Sequence, residues 1–374
     1  MTKKTLCISA ALLLSVVIGI TLLTQKGVVL SLMANGADDV LRPLIGSKAT
    51  LQLESLYFNA SDKLNQVHVP EPVTTSDTFF VDNSQDNPAS QLKTQMNLTA
   101  LTPITHLSRL ANEGVWKAIH LSRFPQDEVM AKTVLRVDDN RPYAYVALVK
   151  IDQKKIGIGA VAGIKHPGGT IGNPGPGKVP DDIKDKNLLL AAFDGGFQYK
   201  DGAYGMIVDG KTYVPLQNNL ATVFINTRGQ AKIGVYTGEK IPNEIVAVRQ
   251  NGVLMVKDGQ VTPFTEEGKD TWGRTVTNSI YTWRSGIGID KDGNLIYAVG
   301  PSLHPETLAQ ALRAAGAVNA MQLDINPYWV RFALFQPKND GTYTATSLLK
   351  QMQNGGYTYL HGYQKDFFYL FSKT

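Results

Sequence analysis

The 374-residue chain holds a single cysteine, Cys7, so it has no intramolecular disulfide and no cysteine-based metal cluster. No run of Lys or Arg is longer than a pair, so the net charge of +5 is spread thinly. Nucleic acid is therefore not an expected partner, whereas an anionic glycan or a phosphate-bearing ligand is compatible with the charge. The six histidines contain no H-x-x-x-H or similar pair, so no zinc is expected. There is no internal repeat. A charged fraction of 18% against 43% apolar residues excludes a disordered chain and supplies the core of one large domain or two ordinary ones.

What is present begins at the N-terminus. The stretch Leu6 to Leu23, LCISAALLLSVVIGITLL, carries no charge and is just long enough to cross a bilayer as a helix. Lys3 and Lys4 precede it and should stay cytoplasmic, which places the rest of the chain outside the cytoplasm. The following TQKGVVLSLMANGADD lacks a clear small-x-small cleavage site. An uncleaved single-pass anchor is favoured over a removed signal peptide, although Ala34 or Ala37 could mark a cut.

Three regions are expected: residues 1–25 as anchor or signal, 26–111 as an N-terminal helix with a long linker, and 112–374 as the main domain. In the second, Leu53, Leu56, Tyr57, Ala60 and Leu64 recur at helical spacing behind Ser47, predicting an amphipathic helix over about 48–66 that packs on the main domain. Residues 67–97, rich in Pro, Ser, Thr, Asp and Asn, read as loop. Beyond 112 the texture is that of an α+β fold, a mixed but mostly antiparallel sheet with flanking helices. The predicted strands are 143–150, 188–193, 221–226, 231–236, 252–256, 286–289 and 295–299. Gly229, Gly259 and Gly293 sit where tight antiparallel turns want positive φ. One helix is well marked, with His304 as N-cap, Pro305 at its first position and Gly316 as its stop. The glycine- and proline-rich residues 166–182 read as a surface loop that could border a site, without the spacing of a nucleotide-phosphate loop.

Two apolar runs end on an acid. LAAFDGGF puts Asp194 at a strand terminus before Gly195 and Gly196, where the backbone can approach a ligand or simply turn. After the marked helix, AMQLD ends on Asp324, followed by INPYW, and Asp324 there either caps a turn or serves a site.

The order of these features resembles the phosphodiester glycosidase family, related to the enzyme that uncovers mannose 6-phosphate, over roughly residues 112–374. The blocks are Asp194-Gly195-Gly196-Phe197 for N-G-G-F, Gly205 to Lys211 for a G-x-x-x-x-x-G-K segment, Arg284 to Ile289 for R-[ST]-x-x-G-[IV], Thr307 to Leu312 for the T-L-x-E-L-A helix, and Leu323-Asp324 for L-D-G-G-G-S. Two departures stand out: Asp194 replaces Asn, and Ile325-Asn326-Pro327-Tyr328-Trp329 replaces the glycine-rich tail. Bulk at Ile325 and the missing donor at Pro327 alter whatever anion site those glycines would make. The L-D-I-N-P-x-W block, together with Lys365-Asp366-Phe367-Phe368, is similar to that of a subfamily of envelope proteins.

The resemblance implies hydrolysis of a glycosyl phosphodiester. Its phosphate leaving group is a stable anion, so one carboxylate and one cation could suffice. Asp194 and Asp324 are the candidate catalytic acids. Arg284 is the candidate phosphate ligand, with Gly195, Gly196, His304, Tyr328 and Trp329 as further substrate contacts. Each has a plainer reading: Arg284 as a solvated charge, His304 as the helix cap, and the aromatics, Trp283 included, as core. No cofactor is expected, although the two aspartates could hold a hard divalent cation. The alternative function is a noncatalytic protein for polysaccharide binding or exopolysaccharide assembly that uses the same cleft. Either way the expected partners are a carbohydrate or sugar phosphate and, through the anchor, a membrane.

Overall fold

The computed structural model describes residues 75–81, 93–267, 269–273, 280–352 and 355–373, together with the isolated positions Ala49, Gln52, Ala60 and Lys63. The chain divides into units of residues 1–54 and 55–374. The apolar run Leu6 to Leu23 lies outside the described residues, among which no helix is long and apolar enough to cross a membrane. Within the predicted helix 48–66, the four isolated positions are helical, and Ala60, expected on the packing face, is exposed.

Three sheets build the described part, and every ladder between their strands is antiparallel. In spatial order, the eight-stranded sheet runs Lys117–Ala118, Met130–Arg136, Tyr145–Ile151, Leu295–Leu303, Thr282–Asp290, Ala317–Ile325, Leu254–Lys257, Gln260–Val261. One five-stranded sheet has Leu189–Asp194 at its centre, between Phe332–Pro337 and Phe367–Ser372, with Tyr343–Ser347 and Ile156–Val161 at its edges. The other is ordered Lys211–Val214, Met206–Val208, Ile245–Gln250, Leu220–Asn226, Ala231–Tyr236. The expected mixed α+β balance is thus corrected toward sheet: the longest described α-helix within the second unit, Pro305–Ala314, has ten residues, and the other α-helices with described bounds have four or five.

One continuous core takes side chains from all three sheets, among them Phe193, Tyr297, Phe332, Phe368, Val223 and Leu323. The ring of Phe193 lies 4.8 Å from Tyr297 and 5.7 Å from Phe332. A second core fills the space under Pro305–Ala314, which buries Leu308 and Leu312 against the far face of the eight-stranded sheet. Each such leucine contributes about 1.5–3 kcal/mol, so packing holds a helix too short to persist alone. The helix begins as its sequence predicts: His304 Nδ1 accepts the Glu306 N–H, Thr307 Oγ1 accepts the His304 N–H, and Gly316 at φ +97 follows the end.

Phe367–Ser372 and Met130–Arg136 lie outside the predicted strands. Phe367–Ser372 sends Phe368 and Leu370 to the central core and Phe367 and Tyr369 to a third cluster on the other face, so it shows no alternation of polarity. The expected turns are present, with Gly229, Gly259 and Gly293 all at positive φ.

Candidate functional site

Asp194 is the last residue of Leu189–Asp194 and is 2% exposed. Its neighbours in the eight-stranded sheet explain how a carboxylate survives there. Ser285 Oγ donates to Oδ2 at 2.5 Å, Tyr297 Oη donates to Oδ1 at 2.8 Å, and the Arg331 N–H donates to Oδ1 at 3.2 Å. Burial still dominates and raises the carboxyl pKa to about 6, against the pull of those donors and of Lys365.

Ser285 also joins the second acid. Its Oγ accepts the Asp324 N–H at 3.0 Å, so one hydroxyl ties the ends of two strands from different sheets. Asp324, 3% exposed, takes the Ile325 N–H on Oδ1 at 2.8 Å and the Lys365 ammonium on Oδ2. A bulge orients it. Arg284 pairs with Ile325 and Gly286 with Gln322, so two steps on one strand face three on the other. In an unbroken strand Gln322 and Asp324 would share a face. Here Gln322 Oε1 binds Arg284 at 2.7 Å while Asp324 meets Lys365.

Arg284 does not join the acids, which corrects the expectation of a phosphate-binding guanidinium. Strand alternation sets Arg284 and Ser285 on opposite faces, and Gly286, on the Arg284 face, abuts Leu308 and Leu312 of the helix. The guanidinium is fully buried and donates to the carbonyls of Leu303, Trp272 and Ile280 as well as to Gln322. Burial pulls its pKa down to about 9. It holds loop ends together, and its donors are taken up by acceptors of the protein itself.

Gly195 and Gly196 are corrected in a similar way. Their N–H groups donate to the Asp366 carbonyl (3.1 Å) and to Asp366 Oδ2 (2.9 Å), and the Phe197 N–H donates to Asn251 Oδ1 (3.0 Å). A Cβ on Gly195 would stand 2.1 Å from Asp366 Oδ2, and one on Gly196 2.6 Å from an Arg249 nitrogen. The glycines therefore admit a buried ion pair: Arg249 Nε donates to Asp366 Oδ2 at 2.7 Å and Nη2 to Oδ1 at 3.1 Å. Sequence reasoning named neither partner as a site residue, although Asp366 lies in the quoted K-D-F-F block.

Lys365 is the cation that stands beside the acids. It is 2% exposed, and burial lowers its pKa to about 8, while Asp366 and Asp194 pull it upward. Its Nζ lies 4.9 Å from the centre of the Trp329 ring, and Trp329 is only half-buried. Tyr328 is buried, its ring 5.2 Å from the Arg331 guanidinium and edge-on to Trp329. Of the two aromatics, Trp329 stands next to the Asp324–Lys365 pair. His304 caps its helix, its ring 5.5 Å from that of Tyr281, and after burial the largest effect on its pKa, a lowering, comes from Arg284. Its expected place beside the substrate is thereby corrected. Among the described residues, no group of three or more His, Cys, Asp or Glu could hold a metal ion. The position a cation would take on Asp324 belongs to Lys365.

Asp194, Ser285 and Asp324 fall within one contiguous sequence match. Residues 187–324 match the phosphodiester glycosidase family. The matched region thus starts just before the strand of Asp194 and closes on Asp324, while Lys365 and Asp366 come from beyond it. Among solved structures, the chain is similar to the catalytic domain of zebrafish N-acetylglucosamine-1-phosphodiester alpha-N-acetylglucosaminidase, auto-inhibited by its pro-peptide. The identity is 16%, over 67% of this chain and 85% of that one, with a TM-score of 0.42. It is also similar to a hypothetical protein from Synechocystis at 13% identity, over 69% of this chain and 64% of that one, with a TM-score of 0.37. No curated protein sequence matches significantly.

Proposed function

We propose that the chain is a hydrolase of glycosyl phosphodiesters, or of related glycans of the cell envelope, in which Asp324 acts at the anomeric carbon and Lys365 faces the phosphate. The observation that carries this reading is the meeting of Asp194 and Asp324 at Ser285, inside a segment that matches the phosphodiester glycosidase family.

Hydrolysis breaks the bond between the anomeric carbon and the phosphate oxygen. The bonding pair leaves on that oxygen as a phosphate monoester, an anion that needs little protonation near neutral pH. Asp324 carries the negative charge that either attacks this carbon or takes a proton from the attacking water. The Ile325 N–H and the Lys365 ammonium hold its two oxygens in place. An ammonium has three donors, so Lys365 can bind Asp324 and still present a donor to a phosphate oxygen. Asp194, through Ser285, fixes the backbone of Asp324 and acts as a positioning residue. Trp329 offers a ring face to a sugar.

The anchor reading places this domain outside the cytoplasm on a single-pass helix; it is supported by the uncharged run Leu6 to Leu23 behind Lys3 and Lys4. A noncatalytic polysaccharide-binding or assembly protein is the second reading. It draws support from the depth of the acids, whose oxygens are held by protein donors. The full chain, purified in detergent, should release sugar from a sugar 1-phosphodiester, and Asp324→Asn should lose this with its circular dichroism unchanged. Turnover by Asp324→Asn at the parental rate rules out the site. Saturable glycan binding by the parent with no product selects the second reading.

A further inference from the structure

His166 opens the glycine- and proline-rich loop, and the mechanism above makes no use of it. It is 8% exposed, and its Nδ1 is buried without a hydrogen-bond partner. A buried polar atom left in that state costs free energy that a ligand atom could recover. The loop is fixed to the segment that carries the candidate cation. The His166 N–H and the Lys165 N–H both donate to the carbonyl of Gln364, the residue before Lys365, at 2.8 and 2.9 Å. Gly163 packs so closely there that a Cβ would stand 2.3 Å from the Lys365 carbonyl carbon.

The charges that act on the ring are one-sided. Burial and then Lys365 push its pKa down to about 4, with Lys165 and Lys200 adding to the effect, and only Asp366 opposes them. That single carboxylate is already held by Arg249. Lys165 and Lys200 are exposed, so the positive side of the cluster reaches solvent. A neutral imidazole with a free ring nitrogen, set among three lysines, is suited to donate a hydrogen bond to an anion.

We propose that His166 is a phosphate-binding residue, which together with Lys365 supplies the anion recognition that Arg284, turned to the opposite face of its strand, does not give. The inference rests on the phosphodiester reading for its ligand class, a phosphate group bearing at least one negative charge. It concerns binding, so it can be tested apart from turnover.

The test is a titration of the full chain with inorganic phosphate, followed by NMR of histidine imidazoles, with His166 assigned through its bonds to its own backbone. Saturable movement of the His166 resonances is expected, with its titration midpoint rising because an adjacent anion favours the imidazolium. His166→Ala should weaken phosphate binding about ten- to a hundred-fold, the loss of one charge-assisted hydrogen bond. His166→Asn, whose amide can stand where Nδ1–H does, should lose less than tenfold. Phosphate that binds without moving His166, parental affinity in folded His166→Ala, or no phosphate binding at all overturns the proposal. Should neither variant fold, the response of the parent alone decides. A responsive His166 in a protein that releases no sugar removes the hydrolase reading and leaves this one standing. Sugar release with an unresponsive His166 does the reverse.

Discussion

The Lys365 ammonium closes on the Asp324 carboxylate with both side chains almost wholly buried. A pair of this kind contributes little net stability when intact, because desolvation offsets the attraction, yet breaking it strands a charge. Lys365→Met should therefore lose about 3–5 kcal/mol in urea denaturation. The double variant Lys365→Met with Asp324→Leu should regain most of it while remaining inactive. A single variant as stable as the parent would show that the pair is open in solution.

Arg284 should behave as a structural residue. Arg284→Gln leaves several buried carbonyls short of a donor, each worth about 1–3 kcal/mol, so the denaturation midpoint should fall sharply. In whatever fraction stays folded, KM for the phosphodiester should not change. A raised KM at parental stability would return Arg284 to the binding site.

Burial raises the Asp194 carboxyl pKa to about 6 in the folded protein, from the ordinary 3.8. Its folded pKa is raised, so the stability it contributes is full below about pH 4 and is lost as pH rises through about 6. At about 1.4 kcal/mol per unit, the loss is on the order of 3 kcal/mol. Asp194→Asn should flatten this fall, and urea melts of both proteins across pH 4–7 measure the difference. Parallel stability curves would show that the carboxyl is not perturbed.

The Gly-Gly turn tests what its glycines are for. Gly195→Ala directs a methyl group at the Asp366 carboxylate, which Arg249 holds, and, 2.6 Å away, at the Asp366 carbonyl oxygen, which belongs to the backbone. It should cost about 1–3 kcal/mol or more by overpacking, seen as a lower thermal midpoint. Gly196→Ala displaces the Arg249 guanidinium and should be comparably harmful. Tolerance at both positions would favour a turn open to ligand over one filled by an ion pair.

Much of the domain was legible from local pattern. The strand ending on Asp194, the turns at Gly229, Gly259 and Gly293, and the helix from Pro305 are all encoded within a few residues, through steric freedom, capping groups and apolar spacing. Phe367–Ser372 and Met130–Arg136 were not: both are buried on both faces and show no alternation of polarity, and Leu189–Asp194, equally buried, is marked instead by the Asp194-Gly195-Gly196 that ends it.

The amino-acid order by itself determined that two apolar strands end on aspartates and that a lysine-aspartate pair precedes the last aromatic strand. Only the tertiary structure decided which of these charges meet. Packing of one sheet on another puts Asp194 against Ser285 and Asp324, one bulged residue turns Asp324 toward Lys365, and the two-residue period of a strand sends Arg284 to the opposite face. Register and facing depend on contacts between residues far apart in the chain, and no short window of sequence contains them.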